Sequence, residues 1–325
     1  MNGREPPVPP RGAAAPAIGP GSTPAPGPGP SAAAGRAGSL LAVHTAVFLF
    51  GISGLLGKMV DTPPLVIVFA RALLASLVLG ALAILRAGGR PRLSRRDLLL
   101  LGITGAILAA HWFSFFQSIR VSTVAIGLLA YSTFPIFVTF LEPLFFPERL
   151  RGRDAALAAV VAAGLVLVIP DYSIAGSAMQ GALWGVASGL TFAILAVMNR
   201  RSVRSLSPLV IGAGQNAAAA LVLAPWIALA PPSLSVRDLV ILLALGVFCT
   251  ALAHVLFIRG LSRVRARTAS VIAALEPVYG ILLALAILRE APAPRTIAGG
   301  AIIIACAMLA GLREAGDGSG PRQSL

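Results

Sequence analysis

Charge is what this chain has least of. Only 12% of its 325 residues are charged, about half the roughly 25% of an ordinary soluble domain. A soluble fold so poor in charge has too little polar surface to face water. Cysteine is scarcer still. Cys249 and Cys306 each stand inside an apolar run, which excludes a disulfide scaffold, and no CxxC or Cys/His cluster offers a metal site. Catalytic signatures are missing too. There is no HExxH, GxSxG or Walker loop, and no Asp lies deep in an apolar run. These absences weigh against a membrane-embedded enzyme and against an ATP-driven machine. Neither a metal nor a cofactor is expected.

What the chain has is apolar residues, at 57%, together with a formal charge of +14. Disordered chains are poor in apolar residues, so disorder is excluded for the bulk. The first 38 residues are the exception, with 10 of the 25 prolines and no long apolar run. They read as a disordered cytoplasmic tail, 1–38, and 313–325 as a second cytoplasmic tail. Between the tails the chain alternates apolar runs with short polar breaks. About 20 apolar residues carry a helix across the hydrocarbon. Ten such spans are predicted, at 40–58, 64–85, 98–119, 121–146, 155–170, 180–199, 207–229, 238–258, 268–288 and 296–312. The expected fold class is an all-α integral membrane protein of ten transmembrane helices, arranged as two inverted five-helix repeats (39–170 and 179–312).

The positive charges supply an orientation. With the N-terminal tail in the cytoplasm and loops assigned alternately, 20 of the 26 Lys and Arg fall inside and five outside, leaving Arg71 within a span. That asymmetry predicts ten crossings of the cell (inner or plasma) membrane with both termini cytoplasmic. It also accounts for the basic character. The arginines meet an anionic leaflet, and a nucleic-acid reader would need a continuous basic face. Membrane lipids are therefore expected partners and nucleic acid is not.

The repeat is read from spacing. Pro135 and Pro277, Glu148 and Glu290, and Lys58 and Arg200 all stand 142 residues apart. The second spans share PLVI, at Pro64 to Ile67 and Pro208 to Ile211, and Asp97 and Asp238 each open a third span. Five spans per copy is an odd number, so the second copy enters the membrane upside down. Inverted repeats offer two near-equivalent packings, and a central site can then open to either side by rocking.

With these features the chain resembles the EamA branch of the drug/metabolite transporter superfamily. FPIFVTFLEPLFFPERL and LEPVYGILLALAILRE carry the resemblance, along with Arg71 in the second span, and it covers about residues 40–312. It implies a permease that exports a small metabolite or amino-acid-like compound from a cavity between the halves. A membrane-embedded enzyme and a non-transporting scaffold are the alternatives.

Charges left in the hydrocarbon are costly and mark function by default. Glu276, near the middle of the ninth span, and Glu142, in the fourth, are candidates for proton coupling, because desolvation disfavours a carboxylate's charged form. The candidate substrate-binding set is Arg71, His111, Trp112, Tyr131, Ser132, His254 and Glu276. Each has a bland reading beside it. Arg71 can be an anion anchor or a structural pair, and His111 and His254 can be relays or neutral rings bonded to carbonyls. Tyr131 and Ser132 stand just before Pro135, which frees backbone groups one turn earlier. Pro135, Pro277, Glu148, Glu290, Lys58 and Arg200 are read as structural or gating residues. Gln215 and Asn216 read as helix-packing glue, and Gly181, Gly185 and Gly189 as a close-contact stripe. A monomer or a homodimer fits.

Overall fold

Helices are what so apolar a chain can place in lipid, because a helix bonds its own backbone polar groups. The structure, a computed structural model, describes residues 30–87, 89, 92–146, 152–202, 205–261 and 272–317, with backbone alone at 30–36, 87, 154, 200, 201, 261 and 310–317. Among them every regular element is helical. The helices are α1 (Pro30–Met59), α2 (Pro64–Ala87), α3 (Arg95–Val121), α4 (Val124–Tyr131), α5 (Phe134–Phe145) and α6 (Gly152–Val168), then α7 (Ser177–Ser202), α8 (Pro208–Leu229), α9 (Val236–Gly246), α10 (Ala253–Leu261), α11 (Glu276–Leu283) and α12 (Pro294–Asp317). A π-helical segment, Val247–Leu252, joins α9 to α10, and another, Ala284–Leu288, extends α11.

Seven helical stretches are long and apolar enough to cross a membrane, and 155–168, 276–288 and 294–309 are shorter apolar ones. Together they make ten crossings, an even number, so α1 begins on the face where α12 ends. Large apolar side chains such as Leu77, Leu99 and Leu221 are exposed, as lipid-facing residues are. The first helix starts at Pro30, so 30–38 of the expected tail are helical. Proline suits a first helical turn, where its missing N–H leaves no bond unmade. The rest of that tail lies outside the described residues.

Exchange of the two repeats maps the helix packing onto itself. The first span (α1) packs on the eighth (α10) and ninth (α11), and the sixth (α7) packs on the third (α3) and fourth (α4 and α5). The second packs on the seventh (α2 on α8) and the fifth on the tenth (α6 on α12). Helix starts repeat too. Ser94 and Asp97 form a capping box on α3, and Ser235 and Asp238 form the same box on α9. Each serine accepts the N3 backbone N–H while the aspartate accepts the cap N–H.

The fourth span is not one helix. It stops at Tyr131, and a turn at Ser132 and Thr133 precedes α5 with Pro135 at its second position. The ninth span has its turn at 274–275, before Glu276 and Pro277. The breaks are 142 residues apart, the spacing of the repeat. Proline causes both, since it cannot donate to the preceding turn.

The glycine stripe of α7 packs inside the chain. A Cβ on Gly189 would lie 3.0 Å from the Tyr131 carbonyl oxygen, one on Gly185 would meet Ala130, and the Ser118 hydroxyl donates to the Gly181 carbonyl at 2.6 Å.

Candidate functional site

Arg71 stands seven residues into α2, about 10 Å along the helix from its start. It is 4% exposed, too deep for its head to reach water by snorkelling. Its Nε donates to Thr250 Oγ1 at 3.1 Å and its Nη1 to Ser53 Oγ at 3.4 Å. The guanidinium carbon sits 4.0 Å from the Trp112 ring centroid and 5.3 Å from that of Phe116, within cation–π range. The π segment orients Thr250, whose hydroxyl also donates five residues back to the Leu245 carbonyl. A π-bulge inserts one residue into a helix. The insertion accounts for the repeat offset changing from 141 at Asp97 and Asp238 to 142 at Pro135 and Pro277. Under the later offset His254 is the counterpart of Trp112, not of His111.

Glu276 opens α11 at the ninth-span break. It is half-buried and lies within electrostatic range of Arg71 and of Tyr131. No hydrogen bond or ion pair joins its carboxylate to another described residue. The ion pairs among the described residues are elsewhere, Lys58 with Glu290 and Arg120 with Asp61. Arg71 and Glu276 therefore lie within electrostatic range of each other without closing a pair. The backbone holds Glu276 firmly: a Cβ added to Gly51 of α1 would lie 2.9 Å from its carbonyl oxygen.

Tyr131 closes α4 at the other break. Its ring is held by His111, Phe115, Phe134 and Phe192, with centroids 5.5 to 5.7 Å away and Phe134 stacked. His111 is locked behind it. Its Nδ1 meets the Ser188 carbonyl at 3.0 Å and the Ser188 hydroxyl at 2.9 Å. The structure thus brings Arg71, Trp112, Tyr131 and Glu276 together, with His111 as backing for Tyr131.

The other expected residues lie apart. The Ser132 hydroxyl donates to the Leu128 carbonyl at 2.7 Å. Ser132 and Pro135 line a crevice toward α6 and α12, with Val161 and Cys306. Pro277 is buried at the start of α11. His254 lies against the Pro208 carbonyl and beside Gly212. Glu142 is half-buried near the far end of α5. Gln215 donates to Asn199 Oδ1 at 2.6 Å. Lys58 and Glu290 meet at the face opposite the termini. Glu148 and the Arg200 side chain lie outside the described residues. A groove of about 600 Å³ between α2, α8 and α9 is lined by Phe69, Leu73, Leu234 and Leu242, so it suits an acyl chain better than a polar solute. Sequence reasoning missed Ser53, Thr250, Ser188 and Phe192. They are small hydroxyls and an ordinary Phe in apolar runs, and no spacing marks them.

Among the described residues no cluster of His, Cys, Asp and Glu could hold a metal ion.

Comparison with known proteins agrees with the helical fold and its two repeats. A model of the EamA-like transporter family matches residues 37–169 and again 179–312. The chain is 24% identical over 252 residues to the uncharacterized transporter YxxF of Bacillus subtilis (strain 168), covering 75% of this chain and 80% of that one. It is 28% identical over 279 residues to an uncharacterized transporter of Archaeoglobus fulgidus, covering 85% and 96%. A solved crystal structure with 22% identity superposes with a TM-score of 0.59, covering 87% of this chain and all of the other, which shows the shared fold.

Proposed function

The chain belongs to the EamA-like transporter family and is a multi-pass membrane transporter; from that premise we propose that it is a secondary transporter exporting a small polar or amphipathic metabolite by alternating access. One observation carries the reading. A guanidinium and a carboxylate lie within electrostatic range of each other with no ion pair between them, beside two helix breaks that the inverted repeat relates.

Each half of the arrangement has a task. Arg71 is the anchor for an anionic group of the cargo, such as a carboxylate. Ser53, Thr250 and the Trp112 face fix the guanidinium, so its remaining N–H groups are aimed before cargo arrives. Such preorganisation lowers the ordering cost of binding. Glu276 takes a cationic group of the cargo or a proton. A deep carboxylate without a donor is costly while charged, so cargo or proton uptake relieves it, and this ties occupancy to the balance between packings. Tyr131 offers a ring and a hydroxyl as the third wall. The two repeats then rock about this point, exposing it first to one face and then to the other. Twenty cationic residues on the terminal side support cytoplasmic termini in the cell membrane. The glycine stripe is used within the chain, so a monomer suffices.

The experiment is a metabolite comparison between cells with and without the protein, followed by flux of the enriched solute in vesicles. Saturable flux that a protonophore abolishes is expected. Flux no faster than in empty vesicles would sink the reading.

A further inference from the structure

The face opposite the termini is stitched across the two repeats at several points: Asp238 accepts the Asp61 N–H, Arg295 and Thr296 of α12 donate to the Leu167 and Val168 carbonyls at the end of α6, and Lys58 meets Glu290. Lys58, at the end of α1, donates to the Ile119 carbonyl at 2.7 Å and also to the Ser122 carbonyl. Those are the last carbonyls of α3, which have no partner within their helix. Glu290, just past the ninth span, accepts the Val124 backbone N–H at 2.9 Å. That N–H opens α4 and is likewise unmatched within its helix. The two side chains meet at 3.5 Å, with exposures of only 22% and 20%.

We infer that Lys58 and Glu290 form the closed latch of this face, made of two helix caps joined by an ion pair. Four of its five residues, Lys58, Ile119, Ser122 and Val124, belong to the first repeat. The fifth, Glu290, belongs to the second, so opening this face requires the pair to part. Glu290 reaches Val124 by a turn in which Arg289 is left-handed, at φ 58° and ψ 27°, a conformation that a residue with a side chain adopts reluctantly. A fulcrum lies below. A Cβ on Gly51 of α1 would fall 3.0 Å from the Gly280 nitrogen of α11, and one on Gly280 would fall 3.0 Å from the Gly51 carbonyl oxygen. The two helices touch backbone to backbone there, between the latch and the ninth-span break. Withdrawal of Glu290 tilts α11 about this contact and uncovers the space in front of Glu276. Nearby, Arg120 donates to the Val60 carbonyl at 2.8 Å and Asp238 accepts the Asp61 N–H at 3.1 Å, which hold the remaining helix ends in place.

The latch deepens the transport reading and rests on it only for its purpose, because its test needs no cargo. Cys249 and Cys306 are replaced by Ala, and a single cysteine is placed at Ser53, below the latch. Vesicles are treated with an impermeant thiol reagent on the face opposite the termini. Lys58→Met and Glu290→Gln should each speed labelling about tenfold, as befits a pair neither fully buried nor on the surface. Lys58→Arg should label at the parent rate. The exchange Lys58→Glu with Glu290→Lys should not restore slow labelling, because Glu at 58 would face carbonyls and Lys at 290 would face an N–H. Unchanged labelling in both single variants overturns the latch. Slow labelling in the exchanged protein overturns the capping role. Fast labelling in the latch variants, together with no cargo moved by the protein that keeps Ser53, would retire the transport reading and leave the latch standing.

Discussion

At mid-depth the two repeats make the same break with different side chains. In the first repeat the turn runs Tyr131, Ser132, Thr133, Phe134; in the second, 142 residues on, it runs Ala273, Ala274, Leu275, Glu276. Pro135 and Pro277 fix the backbone in both. Around the first break aromatic rings close in, with Phe134 stacked on Tyr131 and 5.0 Å from Phe192. The second has small alanines in place of Tyr131 and Ser132, and a carboxylate stands where Phe134 stands in the other copy. Under the proposed alternating access, the fold is symmetric because both packings must be nearly equal in energy for rocking, and the chemistry is asymmetric because one cargo has one set of groups. Cargo recognition is therefore to be sought where the repeats differ.

Making the copies alike should break function most. Glu276→Phe, which gives the second break the residue of the first, should cut flux about a hundredfold, the worth of one charge-assisted contact. Size-exclusion profile and helical content should stay those of the parent, because the fold already tolerates Phe at the equivalent place. Arg71→Lys comes next. A lysine keeps the charge but loses the planar fork and the stacking on Trp112. Flux should fall about tenfold, as for one lost hydrogen bond to a charged group, mostly through a higher KM in concentration series. Ser188→Ala should act on stability alone. It removes one of the two oxygens that meet His111 and should cost about 1 kcal/mol, read as a lower Tm in detergent with flux per folded molecule unchanged. A loss of flux there would mean that His111 touches cargo. The smallest effect compares the two capping boxes. Ser94→Ala and Ser235→Ala should each cost about 1 kcal/mol. Asp238→Ala should cost a few tenths more than Asp97→Ala, about the worth of one part-exposed bond, because Asp238 also accepts the Asp61 N–H.

Much of this was legible in the residues. Apolar run length gives the ten crossings, and a shared spacing of 142 gives the repeat. Two prolines in register mark the breaks, and Arg71 and Glu276 stand out because charge in lipid is rare. The partners of those charges were not legible. Thr250 faces Arg71 through a π insertion, and the change of repeat offset from 141 to 142 does not say where in an apolar segment the extra residue sits. For His111 the residues left open a relay or a ring bonded to a carbonyl, and only the fold shows Ser188 beside it, 77 residues away. Spacing paired Lys58 with Arg200 and Glu148 with Glu290. That arithmetic identifies equivalent places in two copies, whereas contact runs between unlike places, Lys58 to Glu290. The early start of α1 was hidden by prolines, which end a helix from within but suit its first turn.

The central claim is that one carboxylate at the second break couples cargo to the rocking of the repeats. Flux in vesicles across a pH series, for the parent and for Glu276→Gln, tests it most directly. Glutamine keeps the shape and removes the titrating charge. The account predicts that flux and its pH dependence disappear together while the protein stays folded. Parent-like flux with an unchanged pH profile would contradict it.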